Sequence, residues 1–126
     1  MKILIIQITR FGDILTTLPI ISALRRDNLE GELHFLVRKR FAFAAEACKS
    51  IDHLWKLDSK EIIEPLFESK ISESLNTLTK LVRELRSQRF DRIINLSFSP
   101  SSSFISHLIS DGKTPVLGYT RPLISF

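Results

Sequence analysis

The sequence has one cysteine, four glycines, one tryptophan and one tyrosine in 126 residues. No apolar run approaches the roughly 20 residues of a membrane-spanning helix. Cys48 alone cannot form an internal disulfide; it suits a reducing compartment and reads as a small buried hydrophobe. Neither G-x-G-x-x-G nor a Gly-Lys-Ser/Thr loop occurs, so neither of the common phosphate-cradling loops is present. His34, His53 and His107 stand far apart without metal-ligand spacing, so no metal site and no cofactor are expected. The serines from Ser97 to Ser103 lack a nucleophile-elbow pattern, which leaves a hydrolase triad without support. The run from Ile3 to Ile6 is too short for a signal-peptide core, and no small-residue cleavage site follows; a cytoplasmic location is expected.

What is present suits a globular chain. At 44% apolar and 25% charged residues, the composition is that of an ordinary folded domain. Its length allows about two-thirds of the unfolded surface to be buried, and residues 1–126 are expected to form a single domain. The net charge of +4, with Arg38-Lys39-Arg40 together, suits an anionic ligand or membrane surface, though such an excess also serves solubility alone.

Periodicity predicts alternating strands and helices. Four aliphatic residues followed by Gln7-Ile8 predict a strand over 2–8. From Asp13, apolar residues at Ile14, Leu18, Ile21 and Leu24 predict a helix closing at 28–31, with Arg25-Arg26 at its C-terminal end. A strand over 32–37, an alanine-rich helix over 41–48 and an edge-like strand over 53–57 follow. A short helix over 59–69, broken at Pro65, precedes the most regular stripe of the chain: Ile71, Leu75, Leu78, Val82 and Leu85. That helix is expected to pack against a sheet. A strand over 91–96, a serine-rich loop, a helix over 102–109 and a strand over 114–118 complete the pattern.

Alternation of this kind predicts an α/β fold, a Rossmann-like parallel sheet with helices on both faces. Right-handed crossovers favour the strand order 3-2-1-4-5. Ligands of open α/β sheets bind beyond the carboxyl ends of the strands where the connections diverge, here after strands one and four. The loops at that point are ITRFGD and SFSPSSS. Gly12 is read as the residue that permits a sharp strand-to-helix turn. Asp13 is read as lying at or near the helix N-cap, where its carboxylate can accept free backbone N–H groups, with or without a chemical role. Pro19 either bends a helix that starts at Asp13 or sits in the first turn of one that starts near Thr17.

The segment MKILIIQITRFGDILTTLPIISALRR resembles the opening of the lipopolysaccharide heptosyltransferases, glycosyltransferase family 9. Further matches follow in order: HFLVRKRFA, IDHLWKLD, LVRELRSQRFDRIINL and VLGY. The resemblance covers essentially the whole chain through the order and spacing of its motifs. It departs after the fourth strand, where Ser97-Phe98-Ser99 replaces an acidic or glutamine-containing stretch common in the family.

The resemblance implies the N-terminal half of a two-domain GT-B fold, its donor-binding C-terminal half absent from these residues. It implies inverting, metal-independent transfer of a heptose from an ADP-heptose-type donor to a lipopolysaccharide inner-core acceptor. Asp13 would be the catalytic base. Arg10, Gly12, Arg38, Lys39, Arg40, Ser97 and Ser99 would contact the anionic glycolipid acceptor, with no nucleic-acid partner. Peripheral contact with the inner face of the inner membrane is implied, and the 126 residues alone are expected to be inactive. For Arg38–Arg40 the plainer reading is a solvated turn. The competing class is a non-catalytic flavodoxin-like or receiver-like module that binds an anion or a protein. A receiver would need an acidic cluster after strand one and a phosphorylatable aspartate after strand three, for which Asp58 alone is poor support.

Overall fold

The fold is described from a computed structural model over residues 1–58, 60 and 69–118. Strand β1 (Lys2–Gln7) lies at the centre of a five-stranded sheet with β2 (Glu32–Arg38) on one side and β4 (Arg92–Asn95) on the other. The edges are β3 (His53–Leu57) and β5 (Val116–Gly118), and every pairing is parallel. The order β3-β2-β1-β4-β5 is the expected one.

Alternation along β1 divides the core. Ile3 and Ile5 point to one face, where they join Ile14 and Ile21 of helix α1 (Phe11–Asp27) and Ala45 of the short helix α2 (Phe43–Glu46). Leu4 and Ile6 point to the other face. There they join Val82 and Leu85 of α3 (Ile71–Ser87) and Ile105 and Ile109 of α4 (Pro100–Ser110). Successive strand residues bury on opposite faces, so each helix layer needs only one stripe of apolar residues.

Several boundaries differ from expectation. The alanine-rich segment splits into a 3₁₀ turn (Lys39–Phe41) and the four residues of α2. The α3 stripe packs from Leu78 onward: Val82 and Leu85 are buried and Leu78 is half-buried against the core, while Ile71 and Leu75 are exposed. Helix α4 begins two residues early, because Ser99 accepts a hydrogen bond from the Ser102 N–H (3.2 Å) and Pro100 occupies the first turn. Beside Ile105 and Ile109, its buried residues are small and polar: Ser102, Ser103, Ser106 and Ser110. The Ser106 hydroxyl donates to the Ser102 carbonyl within the helix (2.6 Å), whereas the Ser102 and Ser110 hydroxyls donate to carbonyls just outside it, of Ser97 (3.1 Å) and Thr114 (2.5 Å). The helix expected over 59–69, its break at Pro65, and residues 119–126 fall wholly or mostly outside the described residues.

Helix α1 settles the corner after β1. It begins at Phe11 with Arg10 as N-cap, so Asp13 is the third helical residue and not the cap itself. Its carboxylate reaches back to accept the Arg10 N–H (3.3 Å), the returning half of a capping box. Pro19 lies in the interior of a continuous helix, which excludes a helix start near Thr17. Gly12 has no left-handed backbone angle, and a Cβ built on it would meet nothing within 4 Å. The turn therefore does not need glycine; what Gly12 leaves is open space on the surface of the first turn.

Candidate functional site

Strands β1 and β4 run side by side, and their carboxyl ends open into a crevice of about 970 Å³. Its walls come from Thr9, Arg10, Gly12 and Asp13 after β1, Thr16, Thr17 and Ile20 of α1, and Leu96 and Phe98 after β4. This is the switch point of the sheet, where the connections of adjacent strands leave toward opposite faces.

The floor is organised by Gln7, a residue that sequence reasoning passed over as the tail of a strand. Its side chain is buried. The amide nitrogen donates to the Leu96 carbonyl (3.0 Å) and the Thr17 hydroxyl (3.3 Å). The amide oxygen accepts from the Ser97 hydroxyl (3.1 Å) and the Thr9 N–H (3.4 Å). One glutamine thus ties β1, α1 and the loop after β4 together. The available signal was a polar residue at the carboxyl end of an otherwise aliphatic central strand, since buried polar groups require partners.

From this floor the network climbs to Asp13. The single proton of the Thr9 hydroxyl faces two acceptors, Gln7 Oε1 and Asp13 Oδ2, the latter at 2.9 Å. Oδ2 also takes the Arg10 N–H, so one carboxylate oxygen is fixed from two sides. Asp13 itself is exposed on the crevice wall. The hydroxyls of Thr16 (2.9 Å) and Thr17 (2.7 Å) donate to the Asp13 carbonyl, which steadies the same turn from below. A carboxylate held by one oxygen at the mouth of a crevice can accept a proton or a hydroxyl hydrogen bond from a ligand.

The other expected site residues are dispersed. Arg10 is exposed and lines the crevice beside Asp13. Arg38 at the end of β2 and Lys39 and Arg40 on the turn that follows are exposed, outside the crevice lining. Lys39 pairs with Asp58 (3.3 Å), and the Arg40 guanidinium lies 5.4 Å from the centre of the Phe41 ring. Ser97 is fully buried below the crevice, where its hydroxyl accepts the Ile8 N–H (2.7 Å) and donates to Gln7. Ser99 caps α4. The residue between them, Phe98, is the one that reaches the crevice wall, and it is 74% exposed.

Folding also brings together two of the histidines that are scattered in sequence. The β2–β3 register sets His34 opposite His53, with their rings stacked at 4.4 Å and Glu32 Oε1 3.3 Å from each Nε2. Three potential metal ligands therefore meet at this edge of the sheet. The Trp55 indole N–H donates to His34 Nδ1 (2.9 Å), which places the proton of the neutral ring on Nε2. A metal ion at that nitrogen would need the opposite tautomer and the loss of the tryptophan bond. The donor set does not fit a metal in this arrangement.

In sequence, the chain is 26% identical over 110 residues to lipopolysaccharide heptosyltransferase 1 of Campylobacter coli, a match spanning 87% of this chain and 29% of that protein. In structure, it matches the glycosyl transferase family 9 protein of Veillonella parvula with a TM-score of 0.73 at 20% identity, over 95% of this chain and 36% of the other. It matches Escherichia coli ADP-heptose lps heptosyltransferase II with a TM-score of 0.70 at 17% identity, over 94% and 30% of the two chains. No protein-family profile matches. At these identities the structural likeness establishes the fold, and the chain spans about a third of the length of these proteins. The resemblance read from the order of motifs is met again in both sequence and fold.

Proposed function

We propose that this chain is the acceptor-side part of an inverting heptosyltransferase of the glycosyltransferase family 9 type. The transfer would move a heptose from an ADP-heptose-type donor to a lipopolysaccharide inner-core acceptor. The observation that carries the proposal is the carboxylate of Asp13, fixed through one oxygen at the β1–β4 switch point of a sheet shared with heptosyltransferases.

On this reading Asp13 takes the proton of an acceptor hydroxyl as that oxygen bonds to the anomeric carbon. The bond from that carbon to the nucleoside diphosphate breaks on the opposite face, and the diphosphate leaves with its electron pair. A positioned base contributes through correct geometry first, and the fixed Oδ2 leaves the carboxylate little freedom to turn away. Arg10 follows Thr9 on the same loop and suits phosphate or carboxylate groups of the acceptor, which its planar fork can hold in pairs. Arg38, Lys39 and Arg40 extend this positive rim away from the crevice. Ser97 and Ser99 serve the site indirectly by holding the loop that presents Phe98. Gly12 keeps the first helical turn bare, so a sugar ring can approach Asp13 closely. Donor binding belongs to a second Rossmann-like half, and residues 1–126 by themselves transfer nothing. Acceptors of this class sit in a bilayer, so the reading also calls for contact with a membrane surface.

The test is Asp13→Asn in the longest natural chain containing these residues. The amide oxygen of asparagine can still accept the Arg10 N–H and the Thr9 hydroxyl, so folding should persist. Transfer should fall by about 10²–10⁴-fold while acceptor binding survives. Near-normal turnover would remove Asp13 from catalysis and the proposal with it.

A further inference from the structure

We propose that the aromatic patch of Phe11, Phe41 and Phe43, with Arg38 and Arg40 beside it, docks on the surface of an anionic lipid bilayer. Three loops and helix starts converge here at the carboxyl edge of the sheet. Phe11 opens α1, Phe41 closes the 3₁₀ turn after β2, and Phe43 opens α2. The Phe11 and Phe43 rings stack at 5.3 Å, and Phe41 tilts against Phe11 at 6.4 Å. Phe43 is 62% exposed and Phe11 38% exposed, so these two rings face outward, with Phe41 half-buried against the core beside them. Single exposed apolar residues are common on soluble proteins, but three contiguous phenylalanines are a patch that calls for an occupant.

The charge around the patch selects the occupant. Of the nearby acids among the described residues, Asp58 is matched by Lys39 (3.3 Å) and Glu46 by Lys56 (3.3 Å), while Asp13 lines the crevice and accepts from Thr9 and the Arg10 N–H. Arg38 and Arg40 are exposed and make no ion pair with the described residues, so among those residues the local excess is positive. A soluble anion would satisfy the arginines and leave the rings in water. An apolar protein surface would cover the rings and strip the guanidiniums of water without pairing them. The boundary of an anionic bilayer meets both needs, with phosphates for the arginines and acyl chains for the rings. Phe11 lies between Arg10 and Gly12, both of which line the crevice, so docking would hold the crevice mouth at headgroup level. The choice of a bilayer deepens the acceptor reading above and rests on it.

The experiment is co-sedimentation of the full natural chain containing these residues with vesicles of phosphatidylcholine, alone or mixed with phosphatidylglycerol. Binding should require phosphatidylglycerol and weaken as salt rises. Arg38→Gln and Arg40→Gln should each weaken it by about fivefold, and Phe43→Ser by about tenfold. Phe43→Trp should bind like the wild type, with indole emission shifting to shorter wavelength on contact, which guards against a folding defect in the serine variant. The proposal is overturned if the wild type stays in the supernatant, if phosphatidylcholine alone binds as well, or if Phe43→Ser and Arg40→Gln bind undiminished. It is also overturned if Phe43→Ser changes only the size of a protein complex. Asp13→Asn separates the two readings. Normal vesicle binding with lost transfer supports both, whereas normal binding with normal transfer removes the transferase reading and leaves the docking surface standing.

Discussion

At the level of single residues, the crevice depends on a glutamine more than on the serines or glycine that the sequence brings forward. Gln7 uses both ends of its amide: toward Leu96 and Thr17 through nitrogen, toward Ser97 and Thr9 through oxygen. Replacing it with leucine keeps the volume but takes their amide partner from a carbonyl, two hydroxyls and the Thr9 N–H. Gln7→Leu should therefore lower unfolding stability by about 1–3 kcal/mol, a deficit that denaturant titration would resolve. A loss under about 0.5 kcal/mol would mean that water or neighbouring groups replace the amide. That Asp13 and Arg10 line the crevice was legible, because the loop after the central strand opens beyond its carboxyl end at the switch point of such a sheet. Gln7 was not, because nothing in the local pattern separates a buried polar hub from the frayed end of a strand. Ser97 shows the converse: a serine in a polar loop reads as available, yet its hydroxyl is consumed by Ile8 and Gln7.

At the level of elements, the strands were the most legible part. The aliphatic run of β1 and the alternation HLWKL of β3 each lead to a strand at the expected place, and sequential alternation with helices leads to the parallel order. The helices were less so, since their ends are decided by caps and tertiary contacts that periodicity does not carry. α2 shrank to one turn although its alanines favour helix. α1 ran through a proline that sequence rules would place in a first turn. Pro19 cannot donate to the Leu15 carbonyl, and its ring crowds the preceding turn; the helix continues because Ile14, Thr17 and Ile21 are buried on both sides of it. Pro19 is itself exposed, so alanine there meets no packing constraint. Pro19→Ala should raise stability by about 1–2 kcal/mol, the regained hydrogen bond being offset in part by a freer unfolded chain. The shift would be read from the urea midpoint at unchanged slope. A lower midpoint would show that a bend at Pro19 is needed for α1 to lie against the sheet.

For the molecule as a whole, the histidine edge makes stability depend on pH in a direction that the geometry determines. His34 is buried against the Phe90 ring (4.9 Å between centroids), stacked on His53, bonded to Trp55 through Nδ1 and to Glu32 through Nε2, with Lys2 3.9 Å from Glu32. Burial holds its pKa below the ordinary histidine value, and the Glu32 hydrogen bond opposes that shift without cancelling it. A second proton would have to enter at Nδ1, where the Trp55 N–H already points. The unfolded chain meets no such obstacle, so once the pH drops below about 6.5 it takes up a proton that the folded protein refuses. Stability is then full above that value and declines as pH falls toward the folded pKa. Asp52 acts in a lower window. Burial alone would raise its pKa, but the Leu33 N–H and Arg25 together hold it below the ordinary carboxylate value. Its contribution is complete above about pH 4 and disappears only in stronger acid. Between pH 7.5 and pH 5.5 the histidine effect should thus stand apart from the carboxylate one. Urea unfolding of the wild type should show a lower midpoint at the more acidic value. His34→Gln, which retains a polar amide but cannot take up the proton, should move much less between the two conditions even if it is less stable at both. Equal displacement of the two proteins would place the acid sensitivity elsewhere in the fold.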